Sequence, residues 1–240
     1  MKVYAATDIG RVRPINEDSF YAPQPGERFC AVADGMGGHN AGEVASAMAI
    51  HALEEEMRAA PRPTQEALRR AVERANAEIY RASREKPECS GMGTTITALC
   101  MEGAVAHIAQ VGDSRAYLIR NRAILQVTTD HTLVEEMVLR GLITPKEAKN
   151  HPKRNYITRA LGTAERVEVD LLRLETRPED VFLLCSDGLS NAVPERAMLE
   201  IVLSEMSMED KLKSLIERAL HHGGHDNITV LLATCEEAPE

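Results

Sequence analysis

Between Thr95 and Val127 the chain holds four apolar runs so closely spaced that no helix fits between any two of them. Thr95 to Met101 and Val105 to Val111 flank the turn Glu102-Gly103, and Ala116 to Ile119 and Ala123 to Val127 flank Arg120-Asn121-Arg122. Parallel neighbours need a crossover of a dozen or more residues, so these runs predict antiparallel sheet. A continuous βαβ architecture is thereby excluded, and whatever lies before and after must be built around antiparallel strands.

Before the block, Val3 to Thr7 predicts a short strand. A charged loop from Gly10 to Asp18 follows and leads into Ser19-Phe20-Tyr21. Phe29 to Ala33 predicts a buried strand. From Ala41 to about Met57, Val44, Met48 and Ala52 together with Ala45, Ala49 and Leu53 give an amphipathic helix. Thr64 can cap a second helix with Leu68, Val72, Ala75 and Ile79 on one face, ended by Pro87. After the block, Leu133 to Val138 predicts a helix stopped by Gly141. Thr144-Pro145-Lys146-Glu147 reads as a capping box with proline at the first helical position. His151 to Gly162 has no periodicity and predicts a mobile loop or flap. Strands are expected at Val167 to Leu174 and Val181 to Cys185, helices from Pro194 and Ser207, a last strand at Ile228 to Ala233, and a frayed tail at Glu236 to Glu240. Two helix pairs covering two mostly antiparallel sheets use every apolar face, so the expected class is α+β, in one domain over residues 1–240.

Composition narrows the function. Aromatic residues make up 3% and there is no tryptophan, which disfavours a base-stacking platform. A net charge of −9 disfavours binding to nucleic-acid backbones, while an acidic protein can still take phosphorylated substrates if cations offset its field. Five cysteines form no CxxC pair and three sit in apolar runs, which reads as buried thiols in a reducing compartment, hence the cytoplasm. No signal peptide precedes Met1-Lys2-Val3, and no apolar run reaches the ~18 residues of a membrane span.

The candidate chemistry lies where apolar runs stop at aspartate. Phe29 to Ala33 ends in Asp34-Gly35, followed by Gly37, Gly38 and Gly42; Phe182 to Cys185 leads to Asp187-Gly188; Val111-Gly112 leads to Asp113; and Asp226 precedes the last strand. Taken singly, each can equally be a solvated turn residue, and Asp-Gly is a strong hairpin signal. Gathered at one rim of a sandwich, such carboxylates repel and cannot all stay ionised without compensation. Hard divalent cations with oxygen ligands, Mg²⁺ or Mn²⁺ rather than Zn²⁺, are the economical answer. Arg13 can face a phosphate with its two-pronged guanidinium or pair with Glu17 or Asp18 on the surface. A dinucleotide-binding reading of Gly35-Met36-Gly37 fails because Asn40 stands at the third glycine position and no βαβ unit follows. His39, His131 and His225 are polar loop residues by default, with His39 placed to exchange protons at the site.

Seven motifs in order then resemble one family. Gly10-Arg-Val-Arg13-Pro-Ile-Asn16-Glu17-Asp18, Val32-Ala-Asp34-Gly35-Met-Gly37-Gly38-His39, Gly91-Met-Gly93-Thr94-Thr95, Val111-Gly112-Asp113-Ser114-Arg115, Asp130-His131, Ser186-Asp187-Gly188-Leu189 and Asp226-Asn227-Ile-Thr-Val230 are similar to those of the metal-dependent serine/threonine protein phosphatases of the protein phosphatase 2C (PPM) family, in their short bacterial form. The resemblance implies a four-layer α-β-β-α sandwich with a flap near residues 141–165 and two Mn²⁺ or Mg²⁺ ions in a cleft at one edge. It implies that Asp34 bridges both ions, the Gly35 carbonyl binds one, and Asp187 and Asp226 bind the other, while Asp113 with Asp187 matches a third, weaker site. Glu17 and Asp18 match positions that hold metal-bound waters, with Glu17 and Asn227 expected behind the ligands, and Arg13 matches the phosphate-binding arginine. Met36 stands where many eukaryotic members carry a histidine proposed as general acid, so leaving-group protonation falls to water or to His39. The expected partners are phosphorylated proteins and a cognate serine/threonine kinase, with no nucleic acid or membrane, and the expected state is a monomer. The alternative is a catalytically silent regulatory module on the same scaffold.

Overall fold

The computed structural model describes residues 1–37 and 41–235. Two sheets form its centre. One has the strand order β1-β11-β10-β7-β8, built from β1 (Lys2–Asp8), β11 (Ile228–Thr234), β10 (Val181–Cys185), β7 (Arg115–Arg120) and β8 (Ala123–Gln126). The other has the order β2-β3-β5-β6-β9, from β2 (Asp18–Tyr21), β3 (Phe29–Met36), β5 (Ile96–Glu102), β6 (Val105–Val111) and β9 (Asp170–Glu175), with the two-residue β4 (Gly93–Thr94) pairing with the end of β3. Every pairing is antiparallel.

Four layers follow from three separate apolar cores. Strand side chains alternate between faces, so each sheet divides its apolar residues between two neighbours. Cys30, Val32, Leu99 and Ile108 face Leu118, Phe182, Leu184 and Leu231 across the middle of the molecule. Ala31, Ala33, Ala98 and Ala109 point the other way, onto α1 (Ala41–Ala59) and α2 (Gln65–Glu85). Alanines on this face suit close packing of α1, whose own buried stripe is also small: Ala45, Ala49 and Ala52. Tyr117, Leu183, Val230 and Leu232 cover the last core with α6 (Glu195–Val202) and α7 (Met208–His221). The strands are apolar on both faces because both faces are covered.

The expected elements are largely present, with instructive differences. The four-run block does pair antiparallel, but as two hairpins in different sheets, because the chain crosses the sandwich at Gly112 to Ser114. β3 does not stop before Asp34; it runs on through Gly35 to Met36, where β4 and Thr95 supply hydrogen bonds. β9 starts at Asp170, later than the apolar run at Val167 suggests. A one-turn helix, α5 (Asp187–Ser190), begins at an aspartate read only as a strand terminator. Thr144 and Glu147 form the expected reciprocal cap on α4 (Pro145–Lys149), and Thr132 caps α3 (Leu133–Leu139). All five cysteines are free thiols, four buried and Cys235 half-buried. Among the described residues no helix is long and apolar enough to cross a membrane. The expected tail at 236–240 lies outside the described residues.

The segment from His151 to Gly162 is tied at several points. Thr132 bridges Ile157 and Thr94 bridges Leu161, while Asn76 on α2 accepts the Gly162 N–H at 2.9 Å and donates to the carbonyls of Ala164 at 3.1 Å and Glu165 at 3.2 Å. Asn76 is 2% exposed and Gly162 is buried, so water cannot replace the bond between them, while Ala164 and Glu165 are exposed and their carbonyls can turn to solvent. Orphaning one buried backbone group, the Gly162 N–H, costs about 1–3 kcal/mol, and Asn76→Ala is therefore expected to lower unfolding free energy by about 1–3 kcal/mol in a urea titration. A loss under about 0.5 kcal/mol, the usual range of a surface change, would show that this clamp carries no strain-bearing load.

Candidate metal centre

Strand register brings the aspartates to one edge. Cys185 at the end of β10 lies opposite Val230 near the start of β11, so Asp187 and Asp226 meet at one end of their sheet. In the other sheet Asp18 lies directly opposite Asp34, an arrangement in which like charges are destabilising. Val111 at the end of β6 pairs with Ile96 at the start of β5, which puts Asp113 at the same rim.

Each aspartate is held by identifiable neighbours. The Asp34 N–H donates to Thr95 Oγ1 at 2.9 Å, and its carbonyl accepts from Thr95 N–H at 2.9 Å and from Thr94 Oγ1 at 2.9 Å. Gly35 N–H donates to the Glu17 carbonyl at 3.1 Å, and a Cβ on Gly35 would lie 2.1 Å from the Gly42 carbonyl oxygen, so only glycine lets α1 approach β3 here. Ser186 Oγ donates to Asp18 Oδ2 at 2.7 Å and accepts the Thr229 N–H at 3.0 Å, linking the two sheets at the rim. Asn191 Nδ2 donates to Asp187 Oδ2 at 3.0 Å. Asp226 Oδ1 accepts the Asn227 N–H at 2.9 Å, and its Oδ2 accepts from Arg13 Nη2 at 2.8 Å. Gly112, at φ +105°, turns the chain toward Asp113, and its N–H donates to His131 Nδ1 at 3.0 Å.

Burial and mutual repulsion dominate the electrostatics. Burial pushes the Asp18 and Asp113 carboxyls up to about 7 and Asp187 up to about 6, and neighbouring aspartates add to each. Asp34 is raised well above the ordinary range, by burial first and then by the charges of Asp18, Asp187, Asp113 and Asp226. Little cationic charge offsets them. Arg13 reaches the rim, while Arg115 behind it is committed to Asp130 through contacts of 2.9, 2.9 and 2.6 Å. Asp18 Oδ1 and Asp113 Oδ1 are buried with no hydrogen-bond partner. Buried polar oxygens without partners demand an explanation, and a hard cation supplies one. Among the described residues no three His, Cys, Asp or Glu side chains form a ready-made metal cage. The fit to cations rests instead on the crowding of five aspartates and on those two orphaned oxygens.

The remaining sequence candidates are placed as follows. Glu17 stands 4.0 Å from Arg13 Nη1, and its carboxylate accepts from the Gly42 N–H in the first turn of α1, with burial raising it above its ordinary range. The surface pairing considered for Arg13 is therefore chiefly with Asp226, not with Glu17 or Asp18. Asn227 lies behind Asp226 and binds the Arg13 loop. His39 lies outside the described residues. His131 is a buried support: its Nε2 lies 3.2 Å from Asp170 Oδ2 and 3.1 Å from Arg159 Nη1. Sequence reasoning gave no role to Ser186, Thr95 or Arg115, although all three stand inside the motifs; only their cross-chain bonds reveal the parts they play. A cavity of about 500 Å³ lined by Phe29, Met57, Arg58, Pro63 and Met101 opens at the opposite end of β3 and contains none of the five aspartates.

Known proteins place this arrangement. The family model described as protein phosphatase 2C matches residues 11–222. The serine/threonine phosphatase Stp of Listeria monocytogenes is 41% identical over 233 residues, covering 94% of this chain and 92% of its own. The serine/threonine protein phosphatase PstP of Mycobacterium tuberculosis is 44% identical over 234 residues, 97% of this chain and 45% of the longer relative. The catalytic domain of PstP, solved in complex with two manganese ions, superposes with a TM-score of 0.88 at 41% identity, covering 97% of each chain. With the family model matching most of the chain and these relatives sharing more than 40% identity over nearly all of it, the chain belongs to the protein phosphatase 2C family.

Proposed function

We propose that this serine/threonine phosphatase hydrolyses phosphoserine and phosphothreonine esters in proteins with the help of Mn²⁺ or Mg²⁺ ions held at the aspartate rim, residues 1–240 acting as one catalytic domain with 141–165 as its flap. The observation that carries the reading is the crowding of five aspartates, four of them pushed up in pKa by burial and by one another, around two orphaned oxygens. Asp34, the Gly35 carbonyl, Asp187 and Asp226 would hold two ions, with Asp113 serving a third; Asp18 and Glu17 would hold their waters. The two manganese ions in the PstP catalytic domain support a site for two ions. Bound there, such cations supply a water that loses its proton near neutral pH and positive charge to offset the phosphoryl group.

The chain's own residues supply orientation. Arg13 offers a planar pair of donors that matches two phosphate oxygens, at the edge of the rim and 46% exposed, where a protein-borne phosphate can reach it. Ser186 and Thr95 fix the carboxylate of Asp18 and the backbone of Asp34, so that the rim changes little as charge develops on the phosphoryl oxygens. Met36 cannot donate a proton, so the departing serine or threonine oxygen takes one from water or from His39. The substrates are phosphoproteins, and a serine/threonine kinase is their natural source. A silent binding module has no need of a complete carboxylate set, and here Asp18, Asp34, Asp113, Asp187 and Asp226 all stand at one rim.

Asp34→Asn and Asp187→Asn are each expected to lower kcat/KM on a phosphothreonine peptide in Mn²⁺ by about a hundredfold or more, with a matching loss of Mn²⁺ binding heat in calorimetry. Unchanged turnover together with unchanged binding heat in either variant would remove that residue from the metal site.

The raised carboxyls also set a pH dependence for the metal-free protein. The folded state holds protons on Asp18, Asp113 and Asp187 more tightly than the unfolded chain, whose ordinary carboxyl value is 3.8. Their stabilising contribution is complete below about pH 4 and disappears as pH rises through about 6 to 7. In chelator, the melting temperature should fall between pH 5 and pH 8, Asp113→Asn should flatten the slope, and added Mn²⁺ should abolish most of it. A chelated protein that gains stability over the same interval contradicts the electrostatic account of the rim.

A further inference from the structure

The loop that carries Arg13 runs from Gly10 to Glu17, between β1 and β2, and it is gripped from the far end of the chain. Asn227, directly before β11, is 4% exposed. Its Nδ2 donates to the carbonyl of Ile9 at 2.9 Å and to that of Ile15 at 3.0 Å, while its Oδ1 accepts the Glu17 N–H at 2.8 Å. One amide group thus joins the entrance of the loop to its exit. A side-chain amide is the neutral group that offers two donors and an acceptor on so short a stem; aspartate has the same shape but no donor when ionised.

Neighbouring bonds press the same loop onto the Gly223 to Asp226 turn. The Arg11 N–H donates to the Gly224 carbonyl at 2.7 Å. Gly10, at φ +79°, lies so close that a Cβ would stand 2.3 Å from the Asp226 carbonyl oxygen. The Arg13 side chain itself is 46% exposed, and the contacts recorded for it are with the carboxylates of Asp226 and Glu17. Core packing does not fix where its guanidinium stands; those carboxylates and the backbone on either side of it do.

We propose that Asn227 is a positioning residue for phosphate binding: it clamps both ends of the Gly10 to Glu17 loop and thereby holds Arg13 over the aspartate rim. The inference rests on the reading of Arg13 as the group that grips the phosphoryl oxygens. A purely structural Asn227 would lower stability without changing affinity for phosphate, and one that acted on phosphate independently of Arg13 would add its effect to the loss of Arg13. A clamp that works through Arg13 has nothing left to position once Arg13 is gone.

The deciding experiment is a double-mutant cycle on the Mn²⁺-loaded protein with Arg13→Ala, Asn227→Ala and the combination. The readouts are kcat and KM on a phosphothreonine peptide, competitive inhibition by inorganic phosphate, Mn²⁺ calorimetry and melting temperature. Removing a charge-assisted bond should raise KM and the phosphate inhibition constant by about tenfold or more in Arg13→Ala. Asn227→Ala should raise both by about three- to tenfold with Mn²⁺ affinity held within about twofold, and the double variant should be no worse than Arg13→Ala alone. Effects that multiply, or an Asn227→Ala variant that changes Mn²⁺ affinity or kcat while KM stays put, overturn the clamp and leave the phosphatase reading standing. An Arg13→Ala variant with unchanged KM and phosphate inhibition overturns the phosphate-gripping role of Arg13 and the clamp with it. Should Asn227→Ala not fold, the neutral Asn227→Ser, which keeps a polar group in the buried position, enters the same cycle and is decided by the same comparison.

Discussion

Repulsion among crowded, largely half-buried aspartates is the constraint to which the rest of this molecule answers. Asp18 opposite Asp34 is a pairing that an isolated hairpin would avoid, and Asp187, Asp226 and Asp113 crowd the same rim. The scaffold holds them there because the cost falls at a place that the three apolar cores do not need. Those cores lie between the layers, while the aspartates lie at one edge of the sheets, Asp18 and Asp34 paired near the ends of their strands and Asp113, Asp187 and Asp226 just past the ends of theirs. Stability and reactivity are therefore kept apart along the strand axis.

The rim is held by backbone and hydroxyl groups. Thr95 bonds both the N–H and the carbonyl of Asp34, and Ser186 bonds Asp18 in one sheet while receiving the Thr229 N–H in the other. Short hydroxyl side chains suit this work because they add donors without adding charge. A lysine or arginine in their place would neutralise the carboxylates permanently and fill the space that a cation needs. Arg115 shows the alternative use of a cation near the site: it lies just behind the rim, but its charge is spent on Asp130.

Much of this was legible in the residue order. The short spacing from Thr95 to Val127 dictated antiparallel pairing, and the helix pairs announced themselves through Thr64, Ser207 and the periodic apolar positions between caps and glycines. Recurrence of aspartate at strand ends marked the site, and the ordered motifs gave it a family. What escaped the reading was long-range. Nothing local shows that the hairpins of the four-run block part company at Gly112, since pairing within a hairpin is the same whichever sheet it joins. The extension of β3 through Gly35 depends on bonds from Thr94 and Thr95, some sixty residues away, against the local preference of Asp-Gly for a turn. The helical turn at Asp187 was hidden for a similar reason: four residues are too few to show a period.

The bond from Ser186 to Asp18 joins the two sheets at the rim, and across it the aspartates divide by origin: Asp18 and Asp34 from one sheet, Asp187 and Asp226 from the ends of its neighbour. The width of the gap between the opposed carboxylates, where the proposed ions would sit, is then a property of the filling between the sheets, of Val32, Leu184, Leu231 and the residues packed with them. A methyl group gained or lost there alters how far apart the opposed carboxylates sit, and with it the ionic radius the gap accommodates best. If the proposed ions sit there, preference between a smaller and a larger cation would drift by mutation of greasy interior residues, while every carboxylate of the rim stays as it was.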